Sequence, residues 1–122
     1  MSLSIIIPCY NEENTIETII QKILLLDIEK EIIVVDDNSS DSSLKVIKKY
    51  EKEIKIIRHH ENLGKGAAIK SAIKFCKKRY TIIQDADLEY EPNDIIHIYD
   101  SAIKNNLKVV YGSRVLNKKL RK

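Results

Sequence analysis

Two aspartates carry the chemistry that is easiest to name. Asp85 and Asp87 stand in D-x-D spacing just after the β-branched run Thr81-Ile82-Ile83. On an extended chain, side chains alternate with a period of two, so both carboxylates point the same way. Like charges held that close repel unless a cation sits between them. Hard oxygen ligands of this kind suit Mg²⁺ or Mn²⁺, with water and a substrate phosphate completing the shell. Glu89 continues the spacing and offers a third oxygen. The competing reading is a polar turn leading into a helix at Pro92, where acids favour the positive helix end. A bare D-x-D is common, and taken alone the turn reading weighs more.

Other polar clusters admit the same two kinds of reading. Asp36-Asp37-Asn38-Ser39-Ser40-Asp41 follows an apolar run. Such residues are ordinary turn and N-cap types; the functional alternative is a carboxylate that accepts hydrogen bonds from a nucleobase or ribose. Gly64-Lys65-Gly66 is not a Walker A loop, whose spacing differs, and is read as letting a helix start close to the sheet. His59 and His60 are adjacent, lack metal-ligand partners, and read as solvated loop residues. Cys9 and Cys76 form neither a disulfide framework nor a metal cluster, and both read as small core residues.

The elements that must position these residues alternate along the chain. β-Branched runs predict strands at residues 4–8, 31–36, 54–58, 80–84 and 108–112, the first two nearly continuous in apolar residues, as strands buried on both faces should be. Ile16, Ile19, Ile20, Ile23 and Leu24 fall on one helical stripe. Leu44 and Ile47 begin a second helix with Ser40 or Asp41 as its N-cap; Ile69, Ala72, Ile73 and Cys76 mark a third. Pro92 suits the first turn of a fourth, continued by Ile95, Ile96, Tyr99 and Ile103. The alternation predicts an α/β fold, a mostly parallel, Rossmann-like sheet with flanking helices. Ligands of such sheets bind outside the carboxyl ends of the strands, and every polar cluster above falls there.

Composition narrows the classes. The 122 residues are 43% hydrophobic and 32% charged, one globular domain without the ~18-residue apolar run of a membrane span. The net charge of +3 is local: Lys118, Lys119, Arg121 and Lys122 supply four positive charges, so residues 1–117 sum to 17 − 18 = −1. A near-neutral body is a poor footprint for nucleic acid. The basic tail reads as a solvated end, with contact to anionic lipid as the alternative. No signal peptide precedes the first strand, so the cytoplasm is the expected compartment, with peripheral association at its membrane face.

Five motifs occur in a fixed order: P-C-Y-N-E at residue 8, V-V-D-D-N-S-S-D at 34, N-L-G-K-G-A-A at 62, Q-D-A-D-L-E-Y-E-P at 84 and Y-G-S-R at 111. Together they resemble the family-2 glycosyltransferases of the GT-A fold, within them the dolichol-phosphate mannose synthase-like branch, over roughly residues 3 to 115. The resemblance implies a nucleotide-sugar donor, a GDP- or UDP-sugar, and a polyprenyl phosphate or saccharide acceptor. Pro8, Tyr10 and Glu12 match the loop that frames the nucleotide. Val35 and Asp37 match positions at base and ribose, with Asp36 beside them. Asp85, Ala86 and Asp87 match the D-x-D element that holds Mg²⁺ or Mn²⁺ on the donor diphosphate, and Glu89 falls where relatives carry Gln as a further ligand. Arg114 matches an arginine placed to meet a phosphate, and with Asp87 it is the expected catalytic residue of an inverting transfer.

Catalytic domains of this type run to about 200 residues by the same resemblance. Residues 1–115 are therefore expected to form a donor-binding half-domain, 116–122 a basic tail, and the chain a homo-oligomer with little transferase activity alone. The alternative is a nucleotide-sugar-binding module without turnover. A phosphoacceptor receiver domain needs its acidic pair after the first strand and an Asp after the third, where this chain has Pro8-Cys9-Tyr10 and His59-His60. A Rossmann dehydrogenase needs a G-x-G-x-x-G that is not present.

Overall fold

A computed structural model of the chain describes residues 2–87, 92–97, 100 and 109–111. Five parallel strands form one sheet: β1 (Ser2–Cys9), β2 (Glu29–Asp36), β3 (Lys55–Arg58), β4 (Tyr80–Ile83) and β5 (Val109–Tyr111), in the order β3-β2-β1-β4-β5. All five predicted strands are present. β1 and β2 begin two residues earlier than their apolar runs, because Ser2 and Leu3 pair with Glu29 and Lys30 at their starts.

Between β1 and β4 the connections are α1 (Ile16–Leu24), α2 (Ser43–Lys48) and α3 (Lys65–Ile73). α1 and α2 share one face of the sheet. There Leu3, Ile5 and Ile7 of β1 and Ile32 and Val34 of β2 meet Ile16, Ile19, Ile20, Ile23 and Ile47. The alternate residues Ile6, Ile33 and Val35 face α3 through Ala68, Ile69 and Ala72. Each fully buried isoleucine contributes about 2 kcal/mol of apolar transfer. The chain steps outward from β1 to β3 and then returns across β1 to β4. Parallel crossovers are right-handed, so reversing direction sends α3 to the face opposite α1 and α2.

Two expectations need correction. Ile73 is not on the buried side of α3 but exposed, whereas Cys76, half-buried beyond the last helical residue, does pack against the α3 cluster. Ala68 takes the predicted inward position instead. The N-cap position of α2 is Ser42, not Ser40 or Asp41; its side chain makes no cap bond, and the Ser43 amide donates to Asp41 Oδ1 at 2.9 Å. The fourth helix starts at Pro92 as expected: Pro92–Asp94 form a 3-10 turn, the described residues 95–97 and 100 are helical, and Ile95 buries against the α1 side. Tyr99 and Ile103 lie outside the described residues. Among those described, no helix is long and apolar enough to cross a membrane.

Candidate functional site: a crevice where the sheet reverses

β1 and β4 part company before β1 and β2 do. The β1–β4 register ends at Ile6↔Ile83, whereas β1–β2 continues to Cys9↔Asp36. Ile6 O accepts the Gln84 amide on the β4 side, and Cys9 O accepts the Asp37 amide on the β2 side. Backbone direction alternates along a strand, so Pro8 faces β4 with Ile6. Its missing N–H therefore falls where no strand remains to accept one, which is where a central strand tolerates proline. The result is a crevice at the switch point of the sheet, the usual ligand site of open α/β folds.

A cavity of about 300 Å³ fills that crevice, lined by Pro8 near the end of β1, Tyr10 and Glu12 after it, Asp37 after β2, Lys65 on α3, and Asp85, Ala86 and Asp87 after β4. These include all the expected nucleotide and metal residues among those described except Val35 and Asp36. Both of these are fully buried and are not among the residues that line the cavity. Val35 packs beneath α3. Asp36 Oδ2 accepts the Ser39 amide at 3.2 Å, and Oδ1 is buried without a hydrogen-bond partner. Beside it, burial pushes the Cys9 thiol up to about 12, with Ser43 opposing and the Asp36 charge adding to the rise. Glu89 and Arg114 lie outside the described residues.

The β2 wall is built from hydrogen bonds. Asp37 Oδ1 accepts from the Leu63 amide at 2.9 Å and meets His59 Nδ1 at 2.8 Å, while Oδ2 accepts the Gly64 amide at 2.8 Å. Burial alone would raise the Asp37 carboxyl; the Leu63 amide, the His59 ring and the Gly64 amide outweigh it and hold the group below its ordinary value. His59 is a correction to the sequence reading: it is buried, and its Nε2 lies 2.8 Å from Ser71 Oγ on α3. His60 is exposed, as expected. Gly64 sits at φ +97°, where a side chain is strained, and delivers the chain into α3.

The loops after β1 and β2 are joined by contacts that the sequence reading did not assign. Asn11, at φ +53°, accepts the Ser40 amide at 2.8 Å through Oδ1, and its own amide donates to Ser39 Oγ at 2.9 Å. The Glu12 amide donates to Ser43 Oγ at 2.8 Å, and the Ser42 amide to Glu13 Oε1 at 2.8 Å. The signal available in sequence was the asparagine, the residue type that best tolerates the left-handed region after glycine.

The β4 wall is electrostatic. Thr15 donates to Ala86 O and so ties the start of α1 to the D-x-D loop. Lys65 Nζ bonds Asp85 Oδ1. The Glu12 carboxyl is raised, first by burial and then by the charges of Asp87, Asp41 and Asp85, with Thr15 opposing. A carboxyl raised by its neighbours marks a surplus of negative charge. Among the described residues no group of three or more candidate ligands is gathered for a metal. Two hard carboxylates facing a cavity fit Mg²⁺ or Mn²⁺ taken up with substrate oxygens and water rather than a standing structural site.

Comparisons with known proteins give the chain a family and a fold. The chain matches Glycosyl transferase family 2 over residues 4–121. It is 33% identical to a dolichyl-phosphate beta-glucosyltransferase of Dictyostelium discoideum over 129 aligned residues, covering 92% of this chain and 39% of that protein. It is 32% identical to a dolichol-phosphate mannosyltransferase of Pyrococcus furiosus, covering 93% and 33%. The structure superposes on S. aureus TarS 1-349 in complex with UDP-GlcNAc with a TM-score of 0.72 and 26% identity, over 87% of this chain and 32% of that one. The chain thus spans well under half the length of each.

Proposed function

Since the chain belongs to glycosyl transferase family 2, we propose that its crevice is the donor site of a nucleotide-sugar glycosyltransferase. The observation that carries the reading is the placing of Asp85 and Asp87 with Glu12 and Asp37 around one cavity at the switch point. The GT-A fold and the likeness to the dolichol-phosphate branch support it.

In this reading the base and ribose lie against Pro8, Tyr10 and the Asp37 wall. Asp37 Oδ2 accepts one protein hydrogen bond and retains a lone pair for a ribose or base donor. The diphosphate lies toward Asp85, Ala86 and Asp87, whose two aspartates would hold Mg²⁺ or Mn²⁺. Held there, such a cation would supply Lewis-acid stabilisation of the charge on a departing nucleoside diphosphate. Arg114 is proposed to add charge-assisted hydrogen bonds to a phosphate, and Glu89 a further oxygen. The acceptor is proposed to be a polyprenyl phosphate, whose oxygen is already anionic and needs little help from a base; a saccharide hydroxyl would need a general base within hydrogen-bond reach.

Thermal shift against nucleoside diphosphates, with Mn²⁺ and with EDTA, tests the reading. A ligand that binds only the folded state raises the melting temperature. The expected result is a shift with UDP or GDP that requires the cation. An equal shift in EDTA would falsify the role given to the D-x-D.

A further inference from the structure

Lys65 is in an unexpected place for a residue read as part of a helix-opening glycine loop. It is the one cation among the described lining residues of a cavity that also holds Glu12, Asp37, Asp85 and Asp87, and its ammonium is bonded to the first carboxylate of the D-x-D. The lysine side chain is 49% exposed and the aspartate 22%, so the pair is open to solvent rather than locked in the core. An ammonium on a four-carbon stem is a mobile point charge. A divalent cation and that ammonium compete for one carboxylate, since like charges at contact distance repel.

We propose that Lys65 is a displaceable counter-ion, which holds Asp85 while the site is metal-free and must release it for Mg²⁺ or Mn²⁺ to enter. The inference rests on the donor-site reading above and adds a control to it. Metal alone has to break the pair and gains only the carboxylates of the D-x-D segment. Metal arriving with a diphosphate brings phosphate oxygens that complete its shell, so cation and nucleotide enter together.

The test is a Mn²⁺ titration of the 122-residue chain, followed by the electron paramagnetic resonance of free Mn²⁺, without nucleotide and then with UDP or GDP. Lys65→Met and Lys65→Gln are compared with Lys65→Arg, which keeps the charge. Lys78→Met removes the same charge at the far end of the sheet, where Lys78 pairs with Glu29 at 2.8 Å. Lys65→Met and Lys65→Gln are expected to bind Mn²⁺ alone about two- to fivefold more tightly, the range of an exposed ion pair. Lys65→Arg and Lys78→Met stay near the parent, and added nucleotide tightens Mn²⁺ less in Lys65→Met than in the parent. Unchanged or weaker Mn²⁺ binding by both neutral variants overturns the inference and leaves the donor site standing, as does equal tightening by Lys78→Met. A parent chain that takes up no Mn²⁺ even with UDP and GDP overturns both.

Discussion

The two walls of the crevice solve different problems. On the β2 side, Asp37, Asn11, Ser39 and Ser43 spend their hydrogen bonds on neighbouring loops. That wall is set before any ligand arrives. On the β4 side, carboxylates outnumber the cation beside them, and Glu12 records the surplus in its raised carboxyl. Among the described residues that wall carries more negative than positive charge. Binding a rigid, uncharged ring system rewards a fixed surface, whereas binding a cation–diphosphate pair rewards a negatively charged one. The sequence motifs on the two sides look alike, both rich in Asp, yet of these only Asp37 lines the cavity on the β2 side and it is held by backbone amides, whereas Asp85 and Asp87 both line it on the β4 side.

Asp37→Ala strikes the preformed wall and has the largest expected effect. It strands the Leu63 and Gly64 amides and the buried His59 ring, and the loss should be about 3 kcal/mol of stability in urea denaturation. Asp87→Ala strikes the other wall. Asp87 is exposed, so stability should change by no more than about 0.5 kcal/mol. The gain in UDP or GDP affinity on adding Mn²⁺ should fall tenfold or more, about 1.4 kcal/mol, as read by calorimetry. Comparable stability losses for the two variants would erase the distinction between the walls.

Gly64→Ala sharpens it. Nothing lies within 4 Å of the added methyl, so the cost is the strain of φ +97° alone, about 1 kcal/mol by thermal melting. The smallest effect is in acid. The Asp37 carboxyl is lowered on folding, so its stabilisation is present above the unfolded value of 3.8 and is lost as pH falls through the lower folded value. Asp37→Asn should therefore narrow the stability gap to the parent below about pH 4 in denaturation series; a gap that widens there would reverse the sign given to Asp37.

The strands were legible because both faces of β1 and β2 are apolar, and that pattern survives without knowing the neighbours. The D-x-D and its company were legible through order and spacing, which placed Pro8, Tyr10, Glu12, Asp37, Asp85, Ala86 and Asp87 on one cavity. His59 was not. Its burial depends on Ser71, a turn and a half into α3, and on Asp37, residues joined only when α3 docks. Asp36 and Asp37 could not be told apart for a related reason: adjacent aspartates at a strand end point to opposite faces, and sequence alone does not say which of them lines the cavity. Ile73 fits the apolar spacing yet stays exposed, since α3 ends there and the sheet beneath it is already covered by Ala68, Ile69 and Ala72.

The central place of β1 also sets an order of assembly. Leu3 pairs with Lys30 on one side and with Tyr80 on the other, a sequence separation roughly three times greater. Closing the longer loop costs only about 1 kcal/mol more entropy, but long-range pairings are the slow ones to form. The unit of β1, α1 and β2 is therefore expected to form early, and the β1–β4 pairing late. The crevice lies at that last seam, so a folding intermediate has the Asn11 loop contacts but no place for a diphosphate. In amide hydrogen exchange the β1 protons should be the slowest to leave, and ligand added during refolding should capture only chains in which the final strand pairing is complete.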